Sequence, residues 1–255
     1  TPLYSSAASD VYKRQQFLRQ YNFTSQEDMM KAVQRSLSVL TADTHSYLEK
    51  LDHLIQNGEP EFLKAQEEKN KVYLYTYHGF KGITLLWFGK NEAAYEHFEK
   101  VKLYSKNQPF DVSLQYFELC RGLNATILYS NSQPQKKPAQ DVNHTIRECI
   151  SHFKKVKALN PDFGTPVWQF LTAMVKSHDS GILQEALFEE AIQSYEKLNQ
   201  PQYLVLFCES YSSQLAKKGN PKSEIYRNQS IKLAGFLQSP AKVQQLSLIH
   251  ISEPT

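Results

Sequence analysis

The stretch that most constrains this chain of 255 residues is Cys149 to Pro161, CISHFKKVKALNP. Cys149, Phe153 and Val156 stand four and then three residues apart, so all three fall on one helical face. Pro161 stops that helix, because proline has no N–H to donate and disfavours helix in the residue before it. A small residue, an aromatic, an aliphatic and a stopping proline in this order form the second half of a helix-pair repeat. Such a motif specifies architecture and no chemistry.

The same face recurs along the chain. Ala94, Phe98 and Val101 repeat it within a helix expected over Glu92–Tyr104, and Ala191, Tyr195 and Leu198 repeat it within Leu183–Leu198. Glycine turns at Gly89, Gly181 and Gly219 separate first from second helices, with Gly181 and Gly219 38 residues apart. Asn199-Gln-Pro201 echoes Asn107-Gln-Pro109 after a second helix. The remaining expected helices are Val72–Phe88, Val112–Tyr129, Val142–Leu159, Pro166–Lys176, Gln202–Lys217 and Ser223–Leu237, with polar residues at 60–70 and a loop at 130–138. Gly79 and Gly82 in the first of these leave room for a neighbouring helix to pack closely. Trp87-Phe-Gly-Lys-Asn-Glu-Ala-Ala-Tyr resembles the first-helix end, turn and second-helix start of a tetratricopeptide (TPR) unit. The fold expected is all-α, a TPR-like α-solenoid of antiparallel helix pairs over residues 59–245.

An N-terminal helix pair is expected over residues 16–58. Ser25 with Asp28 approximates a capping box, and Met29, Met30, Val33, Leu37 and Leu40 mark the apolar face behind it. A second helix over Thr44–Gln56 turns Tyr47, Leu48, Leu51, Leu54 and Ile55 inward, and Asn57-Gly58 ends it. Within the flanking segments 1–15 and 246–255, SSAASDVYKRQ and LSLIHISEPT resemble translated sequencing-adapter read-through, to be excluded from fold reasoning; ordinary tails are the alternative. On the first reading the natural segment is an internal fragment of a longer protein.

Composition narrows the function classes. An apolar fraction of 41% with 12% aromatic residues is ample for a core, and a net charge of +3 is small for this length. Lysines lie beside glutamates along the helices, which reads as solvated faces and not as a nucleic-acid stripe. The longest apolar runs, such as Leu85-Leu-Trp-Phe88, are too short to span a bilayer. Cys120, Cys149 and Cys208 are scattered in apolar helical patterns without CxxC or histidine partners, as expected of small buried hydrophobes in a reducing cytoplasm. The Asn22, Asn124, Asn143 and Asn228 sequons matter only in a secreted chain.

No phosphate loop, nucleophile elbow, HExxH helix or kinase catalytic loop is present, so no catalytic residue, cofactor or metal site is expected. His97 and His152 are read as partly covered surface positions on second helices. Stacked pairs curve and leave first helices lining a concave face. On those helices Tyr77, Lys81, Arg121, Asn124, Gln169 and Glu209 are the candidate binding residues, with solvated positions or hydrogen bonds between repeats as the alternative.

Residues 184–246, with EALFEEAIQSYEKLNQPQYLVLFCESYSSQLAKKGNPKSEIYRNQSIKLAGFLQSPAKVQQL, carry a further resemblance, as does HGFKGITLLWFGKNEAAYEHFEKV at 78–101. They resemble the TPR-like region of very large multidomain signalling proteins. In that family a Ser/Thr kinase-like domain and an AAA-type ATPase precede the helical array, and GAF and sensor histidine kinase domains follow it. The chain departs from the family at its close, where Gly235-Phe-Leu-Gln lacks the family tryptophan, and at Phe207-Cys-Glu, where the family is alanine-rich. The resemblance implies a non-catalytic, cytoplasmic array that relays between ATPase and kinase domains of the same chain. A stand-alone adaptor or regulator binding protein or peptide partners is the second expectation.

Overall fold

The computed structural model describes residues 23–55, 60–105, 112–132 and 140–248. Its elements are α1 (Phe23–Leu40), α2 (Tyr47–Ile55), α3 (Pro60–Glu67), α4 (Lys71–Trp87), α5 (Asn91–Ser105), α6 (Val112–Asn131), α7 (Gln140–Leu159), α8 (Pro161–Ser180), α9 (Glu185–Glu196), α10 (Pro201–Ala216), α11 (Lys222–Phe236) and α12 (Pro240–Leu248). No strand occurs among the described residues, and the architecture is an all-α helical-repeat fold.

Short polar side chains set the helix starts. Asn70 Oδ1 accepts from the Tyr73 amide at 3.1 Å and opens α4. Asn160 Oδ1 accepts from the Phe163 amide at 3.3 Å. Each satisfies one of the amides a helix N-terminus leaves without a partner. The second cap moves the start of α8 to Pro161 from the expected Pro166. Proline in the first position loses nothing, because that amide has no helical acceptor. Pro166 lies inside α8 and is buried, at the loss of one backbone hydrogen bond. Gly181 ends the helix at φ +69°, a conformation that favours glycine.

The N-terminal pair differs from expectation in its facing. α1 already runs through Ser25, which therefore does not cap it. Among residues 31–40, Ala32, Ser36 and Val39 are buried, whereas Leu37 is 44% exposed. Small residues let α1 lie against α4, where Thr84 Oγ1 donates to the Ser36 carbonyl at 3.3 Å. Asp43 Oδ1 accepts from the amides of His45 at 2.9 Å and Ser46 at 2.8 Å, forming the turn into α2. Leu51 and Leu54 face the core and Leu48 faces solvent; Asn57-Gly58 lies outside the described residues. Helix α3 occupies the stretch read as polar, held by Phe62 and Ala65 against Tyr73 and Tyr77.

Contacts between helices give the register. In α8 and α9, Phe163 meets Tyr195, Phe170 meets Phe188 and Ser177 meets Gln184, so partner numbers fall as the chain rises. Val205 with Ser230, Tyr211 with Tyr226, and Ser212 with Ser223 show the same antiparallel order in α10 and α11. First helices instead lie parallel to the first helices that follow them. Gly79 sits under the Phe117 ring, 38 residues on. Tyr129 donates to Asp179, 50 residues on, and Lys218 donates to the Gly181 carbonyl, 37 residues back. The longer step falls where residues 130–138 are inserted.

One core runs from α1 and α2 through α12, with Phe98, Phe153, Phe188 and Tyr195 at 0% exposure. Each such side chain contributes about 1.5–3 kcal/mol by leaving water. Stacked rings carry the core across repeats, Phe170 on Phe207 at 4.1 Å and Phe188 on Tyr211 at 4.6 Å. The array then closes on itself. Tyr203 of α10 stacks on Tyr116 of α6 at 4.8 Å, bypassing α8. Helix α12 reaches the first elements, where Ser239 donates to the Leu40 carbonyl and Gln245 to the Phe88 carbonyl.

Candidate functional site

The polar residues expected on a concave face are mostly interior. Tyr77, Lys81, Arg121 and Asn124 are buried. The Lys81 ammonium donates to the Tyr77 hydroxyl at 3.0 Å. Asn124 Nδ2 donates to the Asn91 carbonyl at 3.1 Å and so ties α6 to the first residue of α5. Gln169 is half-buried, and its amide donates to Glu190 Oε2 at 3.3 Å. Glu209 pairs with Lys242 at 2.7 Å. These contacts are internal braces, and they do not gather the residues into one groove.

Arg121 is the centre of the densest cluster. Its guanidinium, 3% exposed, reaches Glu99 at 3.0 Å, Glu118 at 3.0 Å and Glu148 at 2.8 Å, joining α5, α6 and α7. Lys102 adds a second cation on Glu148 at 2.6 Å. Partial burial raises the Glu148 carboxyl, but hydrogen bonds from Lys102 and Arg121 outweigh it and hold it at about 2. Burial, with Glu118 adding, pushes the Cys149 thiol well above its ordinary value, so it stays neutral. Cys120, Cys149 and Cys208 are all free and buried, as expected of core residues.

His97 is buried, not partly covered, because α5 turns it onto α4. Its Nδ1 lies 2.7 Å from His78 Nδ1, one ring donating and the other accepting. Burial lowers His78 to about 3 and His97 to about 2, with the nearby lysines adding, so both rings are neutral around pH 7. His152 is half-buried, with Nε2 2.9 Å from Gln115 Oε1. No group of three or more histidine, cysteine, aspartate or glutamate side chains suited to a metal occurs among the described residues.

Lys242 is the residue the sequence conceals most completely. It projects from α12 with 0% exposure and binds Glu209, the Trp87 carbonyl and Gln245 Oε1. Burial lowers its pKa and Glu209 pulls it back. Glu209→Gln keeps an acceptor but removes the charge, and is expected to destabilise by about 2 kcal/mol. Adding Lys242→Met is expected to recover part of that loss, because it removes the unpaired buried ammonium. Urea unfolding of the single and double variants measures both effects.

Beside this lock lies a cleft of about 440 Å³, lined by the carboxyl-terminal parts of α4, α6 and α10 and by α11. Ser210, Ser213, Ser223 and Arg227 supply polar groups, while Leu86 and Ile127 supply apolar surface. The signal available in the sequence was the serine run in Cys208-Glu-Ser-Tyr-Ser-Ser213, with Ser210 and Ser213 one helical turn apart. No helix among the described residues is long and apolar enough to cross a membrane. No protein-family model, curated protein or solved structure matches this chain.

Proposed function

We propose that this chain is a non-catalytic helical-repeat scaffold of a cytoplasmic, multidomain signalling kinase or ATPase, coupling an ATPase domain to a histidine kinase domain. The observation that carries the reading is the continuous core from α1 to α12, closed by Lys242 and Gln245 on the end of α4. A close-packed interior transmits displacement, so movement imposed at one end is resisted or passed on by the other. The partners are then domains of the same chain. Recovery of the full-length transcript tests this. An ATPase domain upstream and a GAF or histidine kinase domain downstream are expected; a stop codon soon after Leu248 with no nucleotide-binding domain upstream overturns it.

The cleft beside α10 favours a second reading, a stand-alone adaptor that binds a protein or peptide partner. Both readings make the chain a scaffold that holds other polypeptides and leaves chemistry to them.

A further inference from the structure

The lining of the cleft restricts what it can hold. Its charges are already matched: Glu224 pairs with Arg227 at 2.6 Å and Glu209 pairs with Lys242 at 2.7 Å. A strongly charged ligand therefore gains no counter-ion there and loses its own hydration. No aromatic side chain lines the cleft, so neither a sugar ring nor a nucleobase finds a stacking platform. What remains is a set of neutral donors and acceptors next to aliphatic surface. Ser210 and Ser213 on α10 and Ser223 on α11 make no side-chain hydrogen bond among the described residues. A hydroxyl without a protein partner can both donate to a ligand carbonyl and accept from a ligand amide.

We propose that this cleft binds an extended, uncharged peptide segment through its backbone, with an aliphatic side chain on the Leu86 and Ile127 surface. A peptide backbone alternates carbonyls and amides, the pairing that hydroxyl groups, which both donate and accept, can meet. The volume lies in the ordinary range of small-ligand sites, about 300–1,000 Å³, which suits a few residues and not a folded domain. The proposal rests on reading the chain as a scaffold for other polypeptides and names the chemistry one of them presents.

The test uses the full chain labelled for NMR, with acetyl-Gly-Leu-Gly-amide and its aspartate and lysine counterparts as probes. The leucine peptide is expected to shift the Ser210 and Ser213 amides and to bind about tenfold more tightly than either charged peptide. Ser213 is exposed, so Ser213→Trp is expected to fill the cleft and abolish the shifts without lowering Tm. Equal binding of the charged peptides, unchanged binding in Ser213→Trp, or shifts by glucose and by no peptide overturns the proposal. Failure here leaves the transcript test untouched, and failure there leaves the cleft result standing.

Discussion

Arg121→Met is expected to destabilise the fold by about 3–5 kcal/mol near pH 7, the cost of removing one partner from buried charges. Methionine nearly matches the packing of the arginine stem, so the loss is chiefly electrostatic. Without the guanidinium, Glu99, Glu118 and Glu148 converge on a site where Lys102 and the exposed His144 are left beside Glu148. The sign of the pH dependence follows from Glu148. Its folded value of about 2 lies below the reference 4.5. Its ion pairs therefore add stability that is complete above the unfolded value and lost as pH falls through about 2. In the variant, protonation relieves repulsion that wild type does not suffer, so the deficit should shrink as pH falls through the carboxylate range. Urea titrations near pH 7 and near pH 3 measure it; a deficit of equal size at both would assign the loss to packing and not to charge.

The same cluster explains what a sequence reading can and cannot recover. Phe98, Phe153 and Tyr195 are legible because an apolar residue every three or four positions marks a buried face wherever it occurs, and all three are fully buried. Arg121, Lys81 and Lys242 are illegible for the converse reason. Lysine and arginine on a helix ordinarily reach water, and nothing local shows that Glu209, Glu99 or Glu148 will be delivered by the fold. Polar residues on first helices thus read equally as a groove or as braces, and Arg121, Asn124, Gln169 and Glu209 reach partners on other helices. The cleft is harder still, since α4, α6, α10 and α11 each bring a part of it. Helix α12 has few inward anchors, Ala241, Lys242 and Leu246, so its docking onto the first pairs leaves almost no periodic trace. Leu246, placed by the sequence at the start of a tail, is buried.

Gly164→Ala is expected to cost about 3 kcal/mol and to lower Tm by roughly 6–12 °C. Helix propensity alone gives the opposite sign, because alanine is favoured over glycine inside a helix by about 1 kcal/mol. Space decides the matter. A Cβ at Gly164 would stand 2.3 Å from the Lys157 nitrogen, 2.6 Å from its Cα and 2.7 Å from the Val156 carbonyl carbon. These are backbone atoms of α7, which cannot yield by rotating a side chain. The two helices must separate, and Phe153 and Phe163, whose rings meet at 6.1 Å, separate with them. Gly122→Ala meets the flexible tip of Leu171 at 2.8 Å and the Cys149 Cβ at 3.0 Å, but no backbone atom, so its cost should be smaller. Gly181→Ala meets nothing within 4 Å and bears only the strain of φ +69°, about 1 kcal/mol. Thermal melts followed by far-ultraviolet circular dichroism rank the three. Should Gly164→Ala melt at or above wild type, α7 and α8 do not approach this closely. The one-residue link through Asn160 would then no longer be what fixes the angle between consecutive helix pairs.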